Sequence, residues 1–435
     1  MIRAGTARAD ITPPIGVYLQ GYAGRPGPST GIHDSLEAQA LVLESEGTRA
    51  AVVTADIISF DDETMQRVCE KAQQAGIAAD SVLFSASHTH SGPTIRALSG
   101  MGDPDPGYLQ RLADTIGRMV CEAASHVEPV RVAAGRSKVH IGVNRRQKTD
   151  RGIALGTEPS GPIDRELLVL RIDDASGQVK CILFNCACHG VVMGGDNLLI
   201  SADWIGYARR EVERRFPGVA GMFAQGACGD INPIERDTFE IAEKLGHQVA
   251  DEVAAAAAQV ETSPVQRLAA ASVPFEMPLL PIPTLEEARK ELRDATERVR
   301  SLEQRGAPVP ERKAAGAIEL WAKRLLAAAE KGEVPPMRSR VTAIALDGLA
   351  LVGLPGEVLC EIGMNIKSRS PFPRTFVVAY ANRVLGYIPT REAHAEGGYE
   401  VDGAYKYYGI AKVAPDAQDA IETAAAHALR LTRGG

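Results

Sequence analysis

Ser81-Val-Leu-Phe-Ser-Ala-Ser-His88-Thr-His90-Ser-Gly-Pro93 holds an apolar run, Val82 to Phe84, followed by small hydroxyl residues, two histidines and Gly92-Pro93. A short apolar run closed by such a stop reads as a buried sheet strand that halts at a polar edge. Residues i and i+2 of an extended chain point the same way, so His88 and His90 are expected to face one site. Imidazole is a common metal ligand and also titrates near neutral pH. Two hydrogen-bonded loop histidines are the plainer alternative, and the other strand ends of the chain bear on the choice.

Working outward, the same pattern recurs. Residues 36–56 read as a hairpin turning at Glu46-Gly47 and ending on Asp56. A second hairpin joins Leu167–Ile172 to Val179–Ala187 through Ala175-Ser-Gly177 and ends on His189-Gly190. A third turns at Asp347-Gly348, the strongest short hairpin signal, and ends on Pro355-Gly356-Glu357. Strands are also expected at Ala7–Ile11, Arg131–Val143, Val219–Phe223, Arg267–Leu280 and Thr375–Tyr380, with a polar loop at Lys148–Pro162 and a Gly/Tyr-rich loop at Gly397–Tyr408. Apolar residues at helical spacing predict helices over Asp61–Gln74, Gly107–Ser125, Trp204–Phe216, Thr238–Ala258 and Pro415–Leu431. Ser201 or Asp203 can cap the third of these. Thr284-Leu-Glu-Glu287 resembles a capping box and opens a charged helical hairpin over 284–335, broken at Gly306-Ala-Pro308. It reads as an appendage that carries no chemistry. The fold class is α/β: mixed β-sheets built largely from hairpins and covered by helices, one domain over 1–435 with the helical hairpin inserted.

Composition bounds the function. The chain has 435 residues, 45% hydrophobic and 24% charged, as in soluble globular proteins. A net charge of -7 and only 5% aromatic residues argue against a nucleic-acid partner. No run is apolar enough to span a membrane, and the N-terminus shows no apolar signal segment. The seven scattered cysteines read as reduced thiols of a cytoplasmic protein, with Cys186 and Cys188 packed in the core. A small-molecule substrate is the expected partner; the oligomeric state is open.

Several apolar strands stop at a polar residue near Gly or Pro: His88, Arg145, His189, Glu357 and Tyr387. Sites in layered α/β proteins are built at strand ends. Two imidazoles and a carboxylate, with one position open, make a common catalytic zinc sphere. His88, His189 and Glu357 can supply it.

These blocks resemble the neutral/alkaline non-lysosomal ceramidases, a family of zinc amidohydrolases. The likeness rests on Ala7-Arg-Ala-Asp-Ile-Thr12 with Gly21-Tyr22-Ala23, and above all on Ser87-His-Thr-His-Ser-Gly-Pro93, similar to the family's H-T-H-S-G-P. It extends through Asn144-Arg145, His189-Gly190 with Ser201–Tyr207, Gly229-Asp-Ile-Asn-Pro233, Pro355-Gly-Glu357 with Gly363, and Asn382–Tyr399. The resemblance implies zinc held by His88, His189, Glu357 and Tyr387, with His90 beside the metal or facing substrate and Arg145 binding substrate oxygen. Three departures stand out: no signal segment, no C-terminal sandwich domain, and Asn232 where the family's G-D-V-S-P carries serine. They point to a cytoplasmic relative acting on a small soluble substrate.

The expected chemistry is hydrolysis of an amide or related acyl bond by metal-activated water. His90 is the candidate proton shuttle, Arg145 and Asn232 the candidate oxyanion donors, and Asp230 a candidate for orienting a metal ligand. A zinc isomerase or lyase, and a zinc-stabilised binding protein without turnover, are the rival readings. Ser201 lacks the G-x-S-x-G elbow of a serine nucleophile.

Overall fold

Residues 1–98, 100–408 and 411–434 are described by a computed structural model. The largest sheet has nine strands. Across it run Ala220–Gln225, Val179–Cys186, Glu166–Asp174, Glu128–Lys138, Arg3–Asp10, Glu37–Ser45, Thr48–Ala55 and Val82–Ala86, with Ser263–Pro264 paired to Glu128–Lys138. The outermost pair at each end is parallel, and the pairs between are antiparallel. A second sheet runs Leu268–Glu276, Arg338–Leu346, Leu349–Gly353, Arg374–Val378, its last pair parallel.

Period-two alternation decides how these sheets stack. Leu41, Leu43, Val52 and Leu83 share an apolar cluster with Ile344, Leu346, Leu351 and Phe376, so one face of each sheet meets the other. The alternate residues Ala40, Val42, Val53 and Phe84 pack instead with Leu112, Ile116 and Val120 of the helix Pro106–Ser125. Farther along the large sheet, Val169, Ile182 and Phe184 pack against Trp204 of the helix Asp203–Arg215 and Leu245 and Val249 of the helix Phe239–Ala258. The helix Ala417–Arg433 buries Ile421 and Ala425 with Val341 and Ala343 of the second sheet. The outcome is a layered order of helices, sheet, sheet and helices. Each fully buried Leu, Ile, Val or Phe contributes about 1.5–3 kcal/mol.

All three predicted hairpins form, as Glu37–Ser45 with Thr48–Ala55, Glu166–Asp174 with Val179–Cys186, and Arg338–Leu346 with Leu349–Gly353. The capping box at Thr284 is present, and the helices Leu285–Gln304 and Val309–Lys331 pack on one another. Three local expectations are corrected. The segment expected as a polar loop carries an antiparallel ladder, Gly142–Thr149 with Gly152–Glu158; its residues are largely exposed, which hid the strand period. The helix at Asp203 has no side-chain cap on its N-cap residue Ala202; Asp203 itself takes φ +59° and accepts N–H bonds from Trp204, Val192 and Met193. The Gly/Tyr-rich loop is wound into a π-helical turn, Tyr399–Gly403, and a short helix, Tyr405–Tyr408.

The two ends of the large sheet are drawn together. Gln225 is fully buried and donates through its Nε2 to Ser87 O at 3.0 Å and Cys188 O at 2.9 Å. Thr89 and Gly190 form an isolated parallel bridge, and His90 N donates to Gly190 O at 3.0 Å. The segments that follow Val82–Ala86 and Val179–Cys186 therefore run side by side, although their strands lie far apart in the sheet order.

Candidate metal centre

His88 leaves its strand with φ +61°. A left-handed conformation costs a non-glycine residue about 1–3 kcal/mol and persists only where surroundings enforce it. His88 and His90 do converge, their Nε2 atoms 3.1 Å apart, but through this turn and not through the extended geometry that the i, i+2 argument assumed. His88 Nδ1 donates to Ile58 O at 2.7 Å, and His189 Nδ1 donates to Cys228 O at 2.6 Å. A carbonyl only accepts, so both rings are held in the tautomer that leaves Nε2 with a free lone pair.

Glu357 reaches the same place from the segment that follows the second sheet's strand Leu349–Gly353. The two-residue strands Glu357–Val358 and Tyr387–Ile388 pair in parallel, which sets Glu357 directly beside Tyr387. Glu357 Oε2 lies 3.4 Å from His88 Nε2 and 3.4 Å from His189 Nε2. Glu357 Oε1 accepts a hydrogen bond from the Tyr408 hydroxyl. His189 Nε2 and Glu357 Oε2 are buried and have no hydrogen-bond partner. Burial, against the pull of Glu357, pushes His189 down to about 4. Burial also pushes His90 well below the ordinary imidazole range. Burial alone would raise Glu357, but the adjoining imidazoles of His88 and His189 hold it well below the carboxylate range. Imidazole nitrogens and a carboxylate oxygen converging on one point form a ligand set for a cation, and left unpaired in the interior they would be costly. Tetrahedral zinc, with ligand bonds of about 2.0–2.2 Å, separates its ligand atoms by roughly 3.3–3.5 Å, so the spacing fits. The liganding atoms of His88, His90 and His189 also lie within 4.8 Å of one another. His90 is thus drawn into the same cluster, though its Nδ1 is buried without a partner instead of tied to a carbonyl.

Arg145 stands over this group. Its Nε donates to Glu400 Oε1 at 2.8 Å, its Nη2 to the Tyr387 hydroxyl at 2.9 Å and its Nη1 to Asn232 Oδ1 at 3.3 Å. Burial disfavours its charge, but Tyr387 and Glu400 outweigh that and raise its pKa. Arginine only donates, so Asn232 presents its Oδ1 to Arg145 and keeps its Nδ2 for the cavity. Ile231–Pro233 pairs with Gly142–Thr149, placing Asn232 opposite Val143. Among the described residues Asp230 makes no hydrogen bond to a histidine; its carboxylate accepts from Cys360 N and Asn144 Nδ2, both at 2.8 Å, and so ties the Glu357 segment to the Arg145 strand.

A cavity of about 620 Å³ opens onto His90, Arg145, Asn232 and Tyr387, while His88, His189 and Glu357 lie outside its lining. The helical hairpin is more than an appendage, since Pro310 and Ala314 form part of this wall. Sequence reasoning missed Glu400, which also binds Arg146 at 2.8 Å, and missed Tyr408, Arg236 and Gln225. Two consecutive buried arginines signal a carboxylate partner, but not one 255 positions away. Asp56 and Ser201, by contrast, serve structural bonds, to Arg209 and Asp34.

A sequence profile described as neutral/alkaline non-lysosomal ceramidase, N-terminal, matches residues 2–239. Neutral ceramidase A of Dictyostelium discoideum is 28% identical over 262 residues, covering 53% of this chain and 36% of that protein. The neutral ceramidase of Pseudomonas aeruginosa is 28% identical over 250 residues, covering 53% of this chain and 37% of that protein. The matched part of the chain thus spans little more than a third of these relatives. The crystal structure of the Pseudomonas aeruginosa neutral ceramidase superposes with a TM-score of 0.74 at 21% identity, covering 99% of this chain and 74% of that one. A structure titled ceramidase complexed with C2 gives 0.77 at 20%, covering 99% and 75%. These likenesses establish the fold.

Proposed function

Because the chain belongs to the neutral/alkaline non-lysosomal ceramidase family, we propose that it is a zinc-dependent hydrolase cleaving the amide bond of a small N-acyl compound. The observation that carries this reading is the pair of buried, unpartnered atoms, His189 Nε2 and Glu357 Oε2, 3.4 Å apart beneath a cavity. His88, His189 and Glu357 are the proposed ligands. Tyr387, beside Glu357 in the parallel pair, is the proposed fourth; burial pushes its hydroxyl well above the ordinary phenol range, with Arg145 pulling the other way. When bound there, zinc supplies Lewis acidity and a water of near-neutral pKa.

The chain's own residues do the rest. Arg145, held rigid by Glu400, directs positive charge at the substrate carbonyl, where charge develops. Asn232 Nδ2 donates to the same oxygen. His90, which lines the cavity, takes the attacking water's proton and returns it to the leaving amine nitrogen as the C–N bond breaks. The products are a carboxylate and an amine.

Elemental analysis of the purified protein, with hydrolysis of short N-acyl amides and of long-chain ceramide followed with and without chelator, tests this. About one zinc per chain and chelator-sensitive amide hydrolysis favouring the short substrates are expected. No transition metal after reconstitution would sink the metal site, and efficient ceramide hydrolysis independent of detergent would overturn the small substrate.

A further inference from the structure

Arg236 lies in the wall of the same cavity as His90, Arg145 and Asn232. Its Nε donates to Val191 O at 2.8 Å, and its Nη2 donates to the Tyr22 hydroxyl at 3.0 Å. The Tyr22 hydroxyl in turn donates to Met193 O at 3.2 Å. The guanidinium is therefore locked in place, yet these bonds use only part of its fork of five N–H donors.

Its charge is not balanced by the protein. Arg145 and Arg146 have Glu400, and Arg209 has Glu37 and Asp56. Among the described residues, no carboxylate lies within ion-pair distance of Arg236. Its neighbour Glu235 is taken by Lys244 at 2.6 Å. Asp203, next to the Val191 segment, is spent on backbone N–H groups. Asp196 is exposed and lines the same cavity without an ion pair to Arg236. Apolar wall is supplied by Val191, Met101, Leu155 and Pro310.

We infer that Arg236 anchors a carboxylate of the substrate, so that the amide cleaved is an N-acyl compound with an anionic group, such as an N-acyl amino acid, and not a neutral ceramide. A single planar guanidinium matches a carboxylate with two parallel bonds, and one cation suits one negative charge. The inference rests on the amide-hydrolase reading for the scissile bond, but the carboxylate anchor itself does not depend on turnover.

The test uses the zinc-loaded protein with N-hexanoylglycine and its neutral counterpart N-hexanoylglycinamide. The wild type is expected to favour the carboxylate by about 10- to 100-fold in kcat/KM, mainly through KM, as charge-assisted hydrogen bonds would. In Arg236→Gln that ratio should collapse towards one, while Arg236→Lys should keep part of it. Equal use of the two substrates by the wild type, or a ratio unchanged in Arg236→Gln, overturns the anchor. If neither amide is hydrolysed, the hydrolase reading fails, and calorimetry decides the anchor alone. Saturable N-hexanoylglycine binding that Arg236→Gln abolishes supports it; no binding, or binding that Arg236→Gln leaves intact, overturns it.

Discussion

Replacing His90 with alanine separates two tasks that an imidazole can perform here. His88 and His189 are fixed by Nδ1 bonds to carbonyls, whereas His90 lines the cavity and its buried Nδ1, close to Gly21, has no partner. His90→Ala should keep zinc and lose turnover, whereas His189→Ala should lose zinc; metal content measured beside activity separates them, and zinc lost from His90→Ala would make His90 a ligand. Asn232→Ala removes the amide that faces the cavity and should lower turnover about 10²- to 10³-fold with metal content unchanged. Near-full activity in that variant would leave the charge to Arg145 alone. Asp203 offers a pH signature. Burial, outweighing three backbone N–H bonds, raises its carboxyl from 3.8 to about 6. Between those values the folded state holds a proton that the unfolded state has lost, so stability falls as pH rises across this window and is level above it. The loss is at most about 3 kcal/mol. Denaturant midpoints of wild type and Asp203→Asn at pH 4, 6 and 8 should therefore diverge between the first two and run parallel between the last two.

Short elements, more than long ones, bring the site residues together. The turn at Gly229-Asp230 braces the Glu357–Val358 strand, with Gly229 N donating to Val358 O at 2.9 Å. A Cβ on Gly229 would stand 2.7 Å from Glu357 O and 3.0 Å from Val358 O. Backbone cannot step aside as a flexible side chain can, so Gly229→Ala should shift Glu357, cost about 1–3 kcal/mol and lower zinc occupancy. A variant with full occupancy and an unchanged Tm would show that the turn does not set the ligand. The three hairpins were readable because each has its turn residues and its alternation within one local window. The two-residue pair of Glu357–Val358 with Tyr387–Ile388 has no such period, and nothing local announces it.

At the scale of the molecule, segments that follow strands of both large sheets converge on one buried cluster, so a metal bound at the proposed site should be coupled to the stability of the whole fold. A ligand that binds only the folded state adds about 4.1 kcal/mol at 1,000 times its Kd. Chelation should lower Tm by several degrees, with recovery on adding zinc, as followed by scanning calorimetry; a Tm indifferent to chelator in protein shown to hold zinc would mean that the site is not linked to folding. Local sequence determined the layers of the fold. Apolar spacing of two or about 3.6 residues and turn chemistry act between near neighbours, so the hairpins, the main helices and the strand ends carrying His88, His189 and Glu357 could be read directly. Family blocks added roles for Tyr387 and Arg145, which the strand ends had already picked out. Which strand ends meet was decided only by the tertiary structure. Gln225 clips Ser87 to Cys188, Thr89 bridges Gly190, and Glu400 locks Arg145 across 255 positions. Such contacts depend on how a nine-stranded sheet curls and on which buried charge finds a partner, and neither leaves a period in the chain.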